Sequence, residues 1–334
     1  MFRTSFLNPQ KMPLAIEFDN GGGSGGDKKA ENRASPETLL EIAEASRDFF
    51  ETELLKCGAL LFRGFQLKTV AEFERFVRAF SGGAEFFSYA GGVSPRRSLG
   101  SSNRSAYTST EYPADLTLPL HNELSYADVY PNRLYFFCLI EPESGGATTL
   151  GDSRRILKNL DQKIAETFKR KKIRYVRNLY PHKGTGYSWQ EAFETDDSLA
   201  AEECCRKIGA DFEWRPNGVL RLSQIRPAAV QHPQTGEEVW FNQADGFHPS
   251  NLDRKTYDEL LSFFGTEDEF RLNATFGDGS PIDLPMLEHV REVIGRETIP
   301  HQWRQGDILV LDNLLAAHGR APFTGARKIA LAMT

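Results

Sequence analysis

The sequence predicts an antiparallel β core decorated by helices, mainly β within the α+β class. Three observations predict it. From Leu118 onward, short apolar runs alternate with turn residues, as where Arg133–Ile140 gives way to Glu143-Ser144-Gly145-Gly146. No strand–helix–strand rhythm recurs, which argues against a parallel sheet. A histidine and a glutamate stand two apart in Leu118-Pro119-Leu120-His121-Asn122-Glu123, and a third candidate ligand, His318, follows another apolar run near the far end of the chain. In a double-stranded β-helix, the cupin-type jelly roll, early and late strands of one sheet lie side by side, so this fold is the economical way to bring the three together.

Each element has its own signal. Residues 1–34 read as a flexible N-terminal segment, because residues 21–27 are almost all glycine, with one serine and one aspartate. Ser35-Pro36-Glu37 opens a helix with an N-cap, a proline at the first position and an acid in the first turn. Its apolar stripe runs to about residue 56. Residues 57–62 read as a buried strand, and residues 70–80 as a helix with Phe73, Phe76, Val77 and Phe80 on one face. Residues 91–105, rich in glycine and serine, read as a lid loop. Residues 152–170 form a helical pattern, 173–179 a strand, and 188–209 a polar helical stretch within an insertion at about 185–215. Strands are expected at 147–150, 212–222, 238–242, 308–311 and 326–333, and helices at 257–264 and 284–296. One domain over residues 35–334 accommodates all of them, and a chain of 334 residues buries a large core without staples.

Composition excludes several functions. With 40 basic and 46 acidic residues the net charge is −6, unlike that of a general nucleic-acid binder, although a local basic pocket for a small anion stays compatible. The four cysteines, Cys57, Cys138, Cys204 and Cys205, make no CxxC pair and so give no structural zinc motif. The first nine residues lack the apolar stretch of a signal peptide, and no run is long enough to span a membrane. The expectation is a cytoplasmic protein with no membrane or nucleic-acid partner.

The chemistry rests on the ligand types. If the run before His121 is a strand, His121 and Glu123 project from one face, since side chains alternate with period two. Two imidazoles and one carboxylate make the facial triad that holds non-haem iron(II) and leaves positions open for a co-substrate and oxygen. Zinc is the rival metal, because it takes the same donors. A lone histidine in such a run is most often a core or surface residue, so the pattern carries weight only jointly.

His121-Asn122-Glu123-Leu124-Ser125-Tyr126 and the ending Gly319-Arg320-Ala321-Pro322-Phe323-Thr324-Gly325-Ala326-Arg327-Lys328 resemble the taurine dioxygenase (TauD/TfdA) family of iron(II), 2-oxoglutarate-dependent oxygenases, in its clavaminate synthase-like branch. The resemblance runs from Gly58-Ala59-Leu60-Leu61-Phe62-Arg63-Gly64-Phe65 to the last residue. It implies His121, Glu123 and His318 as metal ligands. It implies a threonine on the 2-oxoglutarate carboxylate after a Gly-Gly turn, which Thr148 fits better than Thr149. It also implies a basic partner for that co-substrate at the start of the last strand. Arg327 suits this role through its bidentate fork, with Lys328 as the alternative and Arg320 a third choice. Glu123 fills the position that related halogenases leave small for halide, which argues against halogenation.

The reaction so implied consumes 2-oxoglutarate and oxygen, gives succinate and carbon dioxide, and hydroxylates an unactivated C–H bond. An amino-acid-like small molecule, free or tethered to a carrier protein, is the expected substrate. Tyr126, Ser125, Asn242, His248 and Arg97 are candidate substrate contacts, and Trp240, Phe241, Gln243 and Phe247 candidate walls of the barrel mouth. A desaturase or cyclising oxygenase on the same scaffold, or a non-catalytic metal- or ligand-binding cupin-like protein, is the alternative.

Overall fold

A computed structural model describes residues 2–18, 34–89, 92, 96–99, 105–109, 112–181 and 188–334. Two β-sheets form the expected jelly roll. The larger has seven strands in the order Phe2–Phe6, Leu14–Phe18, Ala59–Arg63, Ile308–Asp312, Arg133–Ile140, Lys328–Met333 and Tyr107–Thr108. The smaller has four, in the order Ile299–His301, Thr148–Asp152, Ala316–Arg320 and Leu118–His121. Early and late parts of the chain are therefore neighbours in both sheets, and pairing is antiparallel except between Leu14–Phe18 and Ala59–Arg63.

From Ala59–Arg63 to Lys328–Met333 the large sheet is buried on both faces, and these strands show why they read as continuous apolar runs. Leu61, Leu134, Phe136, Leu309 and Leu331 belong to a core shared with Leu150 of the small sheet. Their neighbours in sequence, Phe62, Tyr135, Phe137, Val310 and Ala330, point to a second core. There they meet Phe50, Phe73, Phe76 and Phe80 from the helices Arg47–Cys57 and Val70–Ser81. A two-residue period thus sorts one strand between two cores.

Several expectations are refined. The helix expected over residues 36 to about 56 is two, Pro36–Ala45 and Arg47–Cys57, divided at Ser46. Residues 152–170 likewise split into Ser153–Asn159 and Gln162–Lys171, because the Asp161 side chain accepts from the main-chain N–H of Lys163 and Ile164 and starts a new helix. The strand expected over 212–222 folds back on itself: Asp211–Trp214 and Leu220–Arg226 pair around Pro216-Asn217-Gly218, where Asn217 has φ 65°. With Ile173–Leu179 and Leu272–Phe276 these make a further four-stranded sheet.

The flexible segment expected over 1–34 is corrected for residues 2–18. They form an antiparallel pair that continues the large sheet through Leu14–Phe18, whose Leu14, Ala15 and Ile16 are buried. Apolar contact with the second core outweighs the lack of a strong strand signal. The glycine run at 21–27 lies outside the described residues, as does most of the expected lid loop. All four cysteines are free, and three of them are buried. Among the described residues no helix is long and apolar enough to cross a membrane.

Candidate metal centre and adjoining cavities

His121 ends its strand and is the direct cross-strand partner of His318 in Ala316–Arg320. Directly opposed residues of an antiparallel pair bring their side chains together, and the two imidazole centroids lie 4.4 Å apart. The residue after His318 must be small: a Cβ at Gly319 would stand 2.5 Å from the Leu118 carbonyl oxygen and 2.7 Å from Thr149 Oγ1.

Glu123 arrives differently from the expected strand alternation. The strand stops at His121, and Glu123 stands in a turn whose next residue, Leu124, has φ 57°. Asn313, just past Ile308–Asp312, fixes that turn. Its Oδ1 accepts from Glu123 N at 2.8 Å, its Nδ2 donates to Glu123 O at 3.0 Å, and its own carbonyl accepts from Asn122 Nδ2 at 2.7 Å. The large sheet therefore holds the carboxylate and the small sheet holds both imidazoles. One donor atom from each of His121, Glu123 and His318 lies within 4.8 Å of the others.

The electrostatics suit a cation. Burial lowers the pKa of both histidines, and for His318 the neighbouring His121 and Arg96 lower it further. Both rings are thus neutral and carry a lone pair. His121 Nδ1 lies 2.9 Å from the Pro119 carbonyl, which assigns its N–H there and leaves Nε2 for a metal. His318 Nδ1 is buried with no hydrogen-bond partner among the described residues. Two neutral imidazoles, one unsatisfied, beside a buried carboxylate fit a divalent metal of the non-haem iron type. Arg96, expected only as part of the lid loop, donates from Nη2 to Glu123 Oε2 at 2.7 Å and lies over the Tyr89 ring at 4.1 Å.

Two cavities adjoin the triad. A small one of about 30 Å³ is lined by His318, Thr148, Arg327, Arg320 and Arg96, among others. Thr148 is buried on the strand next to His318, and its Oγ1 accepts from Trp303 Nε1 at 2.9 Å. Arg327 reaches in, anchored by Nε donating to Gly146 O at 3.1 Å, and burial lowers its pKa to about 10. Lys328 is exposed and Thr149 does not line the cavity, so the geometry favours Thr148 and Arg327. Arg320 is committed to the carbonyls of Tyr112, Pro113 and Leu116.

The second cavity, of about 280 Å³, is lined by His121, Glu123, Tyr126, Tyr89, Asp245 and Phe247, with Arg96 and Arg271 among its other walls. Of the expected substrate contacts only Tyr126 lines it. Ser125 is buried and its Oγ accepts from Gln243 Nε2 at 3.0 Å. Asn242 is spent on the main chain, donating to Ala228 O and accepting from Ala244 N. His248 turns its Nδ1 to Ser250, capping a short 3-10 turn. Arg97 is exposed, with its main chain paired to Thr108, and its neighbour Arg96 is the arginine that enters. Trp240 and Phe241 pack inward against Phe168 and Tyr130. Tyr89, Arg271 and Trp303 carried no motif; Arg96 stood in the expected lid loop next to Arg97, and Asp245 among residues already singled out at 240–248.

Residues 24–334 match the model of the family described as Taurine catabolism dioxygenase TauD, TfdA family. The chain is similar to the dapdiamide synthesis protein DdaC of Enterobacter agglomerans, with 36% identity over 276 residues, covering 83% of this chain and 82% of that protein. It is also similar to a clavaminate synthase-like protein of Arabidopsis thaliana, with 28% identity over 302 residues, covering 87% and 86% of the two chains. Among solved structures, PvcB of Pseudomonas aeruginosa superposes with a TM-score of 0.54 at 14% identity, over 99% of this chain and 90% of that one. That likeness speaks for the fold.

Proposed function

This chain belongs to the taurine catabolism dioxygenase TauD, TfdA family, and on that premise we propose that it is an iron(II)- and 2-oxoglutarate-dependent oxygenase. Its substrate in this reading is an amino-acid-like small molecule, free or tethered to a carrier protein, hydroxylated at an unactivated C–H bond. The observation that carries the reading is the convergence of His121, Glu123 and His318 between two cavities of unlike character.

His121, Glu123 and His318 would hold the metal, which when bound would supply the site at which oxygen is activated with the 2-oxo acid as reductant. Three protein ligands would leave positions for co-substrate and oxygen. On the His318 side, Thr148 donates its hydroxyl and Arg327 its guanidinium to the distal carboxylate of 2-oxoglutarate. On the His121 side, the larger cavity has the size of a site for a small metabolite. Its apolar walls, Leu118, Pro119, Leu252 and Leu272, exclude water from the C–H bond that is to react.

The test is succinate formation. Chain reconstituted with iron(II) and 2-oxoglutarate under argon, then exposed to oxygen, is expected to release succinate above the level of the Glu123→Ala variant. Equal release from both would remove the catalytic reading and leave a metal-binding protein. A screen of amino acids and carrier-bound aminoacyl groups for a mass gain of one oxygen then identifies the substrate. A loss of two hydrogens instead would indicate desaturation or cyclisation.

A further inference from the structure

The larger cavity contains a charge that the metal chemistry does not use. Asp245 lies in the short helix Ala244–Phe247, is only 5% exposed, and faces the same space as His121 and Glu123. Among the described residues no cationic side chain forms an ion pair with it. The nearest arginine, Arg291, directs Nη2 to the carbonyl oxygen of Asp245 and to Ser250 Oγ, both at 2.9 Å, and so serves the main chain of the helix. No side chain among the described residues donates to the carboxylate, and an asparagine would fill the same space without the penalty of a buried charge, so a purely structural role does not account for an acid here.

The surroundings favour a cation as the missing partner. Phe247 and Tyr126, with ring centroids 5.2 Å apart, both line the cavity; Arg177 already lies over the Tyr126 ring at 5.1 Å, which leaves Phe247 as the aromatic wall for a ligand cation. Arg271 lines it as well, beside the Arg96–Glu123 pair. An ordinary apolar substrate has no need of the acid.

We propose that Asp245 is the specificity group of this cavity and that its carboxylate receives a protonated amine of the substrate. This rests on the assignment of the larger cavity to substrate made above. It narrows the substrate class to molecules with a free ammonium group, and it separates them from N-acylated and deaminated analogues of equal size.

The probes are n-butylamine, 1-butanol and butyrate, titrated calorimetrically into the full chain at about pH 8, where the amine is protonated. Titrations are run with and without added iron(II) under argon. Butylammonium is expected to bind at least about tenfold more tightly than either other probe, with or without iron, a difference of about 1.4 kcal/mol. Asp245→Asn should bring amine and alcohol to within about twofold, and Asp245→Glu should keep the preference. Equal binding of amine and alcohol by the unaltered chain overturns the proposal, whatever the variants do. So does a preference that survives in Asp245→Asn, or one that appears only with iron and so reports coordination to the metal. Loss of amine preference with normal succinate release counts against Asp245 alone. Retained preference without succinate counts against the oxygenase reading instead.

Discussion

The indole N–H of Trp303 donates to the hydroxyl oxygen of Thr148 at 2.9 Å, and both side chains are buried. A hydroxyl that accepts one bond is left with its own proton to donate elsewhere. Trp303 thereby turns the Thr148 proton toward the cavity that also contains Arg327. Trp303→Phe keeps the aromatic volume and removes the donor. It is expected to raise the KM for 2-oxoglutarate by roughly two- to tenfold, the worth of one hydrogen bond, with iron stoichiometry unchanged. An unaltered KM would show that Thr148 needs no such partner.

Arg327 and Lys328 are adjacent, yet only Arg327 enters the small cavity. Removing one member of a desolvated charge pair costs about 2–5 kcal/mol. Arg327→Ala should therefore raise the 2-oxoglutarate requirement by a factor on the order of 100, while Lys328→Ala leaves it within about twofold. Steady-state succinate assays on the two variants decide between them, and the reverse ranking would reassign the role.

His121→Ala and His318→Ala each leave two donors where three are needed to compete with water for the metal. Both variants are expected to lose stoichiometric iron(II) binding in anaerobic dialysis, and with it all succinate release. Asn313→Ala is the informative companion, because Asn313 touches no metal yet holds the turn that carries Glu123. It should weaken iron binding by about 10- to 100-fold, as loss of outer-shell support does elsewhere.

Burial pushes the Asp245 carboxyl up to about 6, with Arg291 opposing the shift. A carboxyl with a raised folded-state pKa holds its proton more tightly in the folded chain than in the unfolded one, where the value is about 3.9. Stability is then lost as pH rises through the interval from about 4 to about 6, by roughly 2–3 kcal/mol. Relative to the Asp245→Asn variant, the unaltered protein should lose that amount between about pH 4 and pH 7 in urea unfolding. Parallel curves for the two proteins would show that the carboxyl is not perturbed.

Phe62 is the hub of the second core, with ring centroids 5.1 Å from Phe50, 5.1 Å from Phe76 and 5.9 Å from Phe80. Phe62→Ala is expected to lower stability by about 3–5 kcal/mol. Ser35→Ala, which removes the cap bond to Thr38 N, should cost only about 1 kcal/mol. Chemical unfolding of both variants checks the ranking.

What the sequence made legible was local or period-driven. Arg133–Ile140 and Ile173–Leu179 announce themselves by apolar runs between turns, and Ser35-Pro36-Glu37 marks the start of Pro36–Ala45. The triad was legible because its residue types are chemically specific. What escaped is what depends on contacts far apart in the chain. Phe2–Phe6 carries little strand signal and forms because the sheet already has an edge to offer. Glu123 does not follow strand alternation, since Asn313, almost two hundred residues on, sets the turn. Asn242 and His248 have donors and acceptors suited to a ligand, but neighbouring main-chain groups claim them first. Asp245, three residues before His248, has no such claim from a side chain. Sequence alone does not tell the two situations apart.

The Lys328–Met333 strand sits between Arg133–Ile140 and Tyr107–Thr108, one strand in from the edge of the large sheet, and follows the strand that carries His318. Arg133–Ile140 finds both of its partners in this sheet, Ile308–Asp312 and Lys328–Met333, much later in the chain, so both of its edges stay open until those strands have followed it out of the ribosome. Phe136 and Phe137, on opposite faces of that strand, are until then an apolar surface for a chaperone to cover.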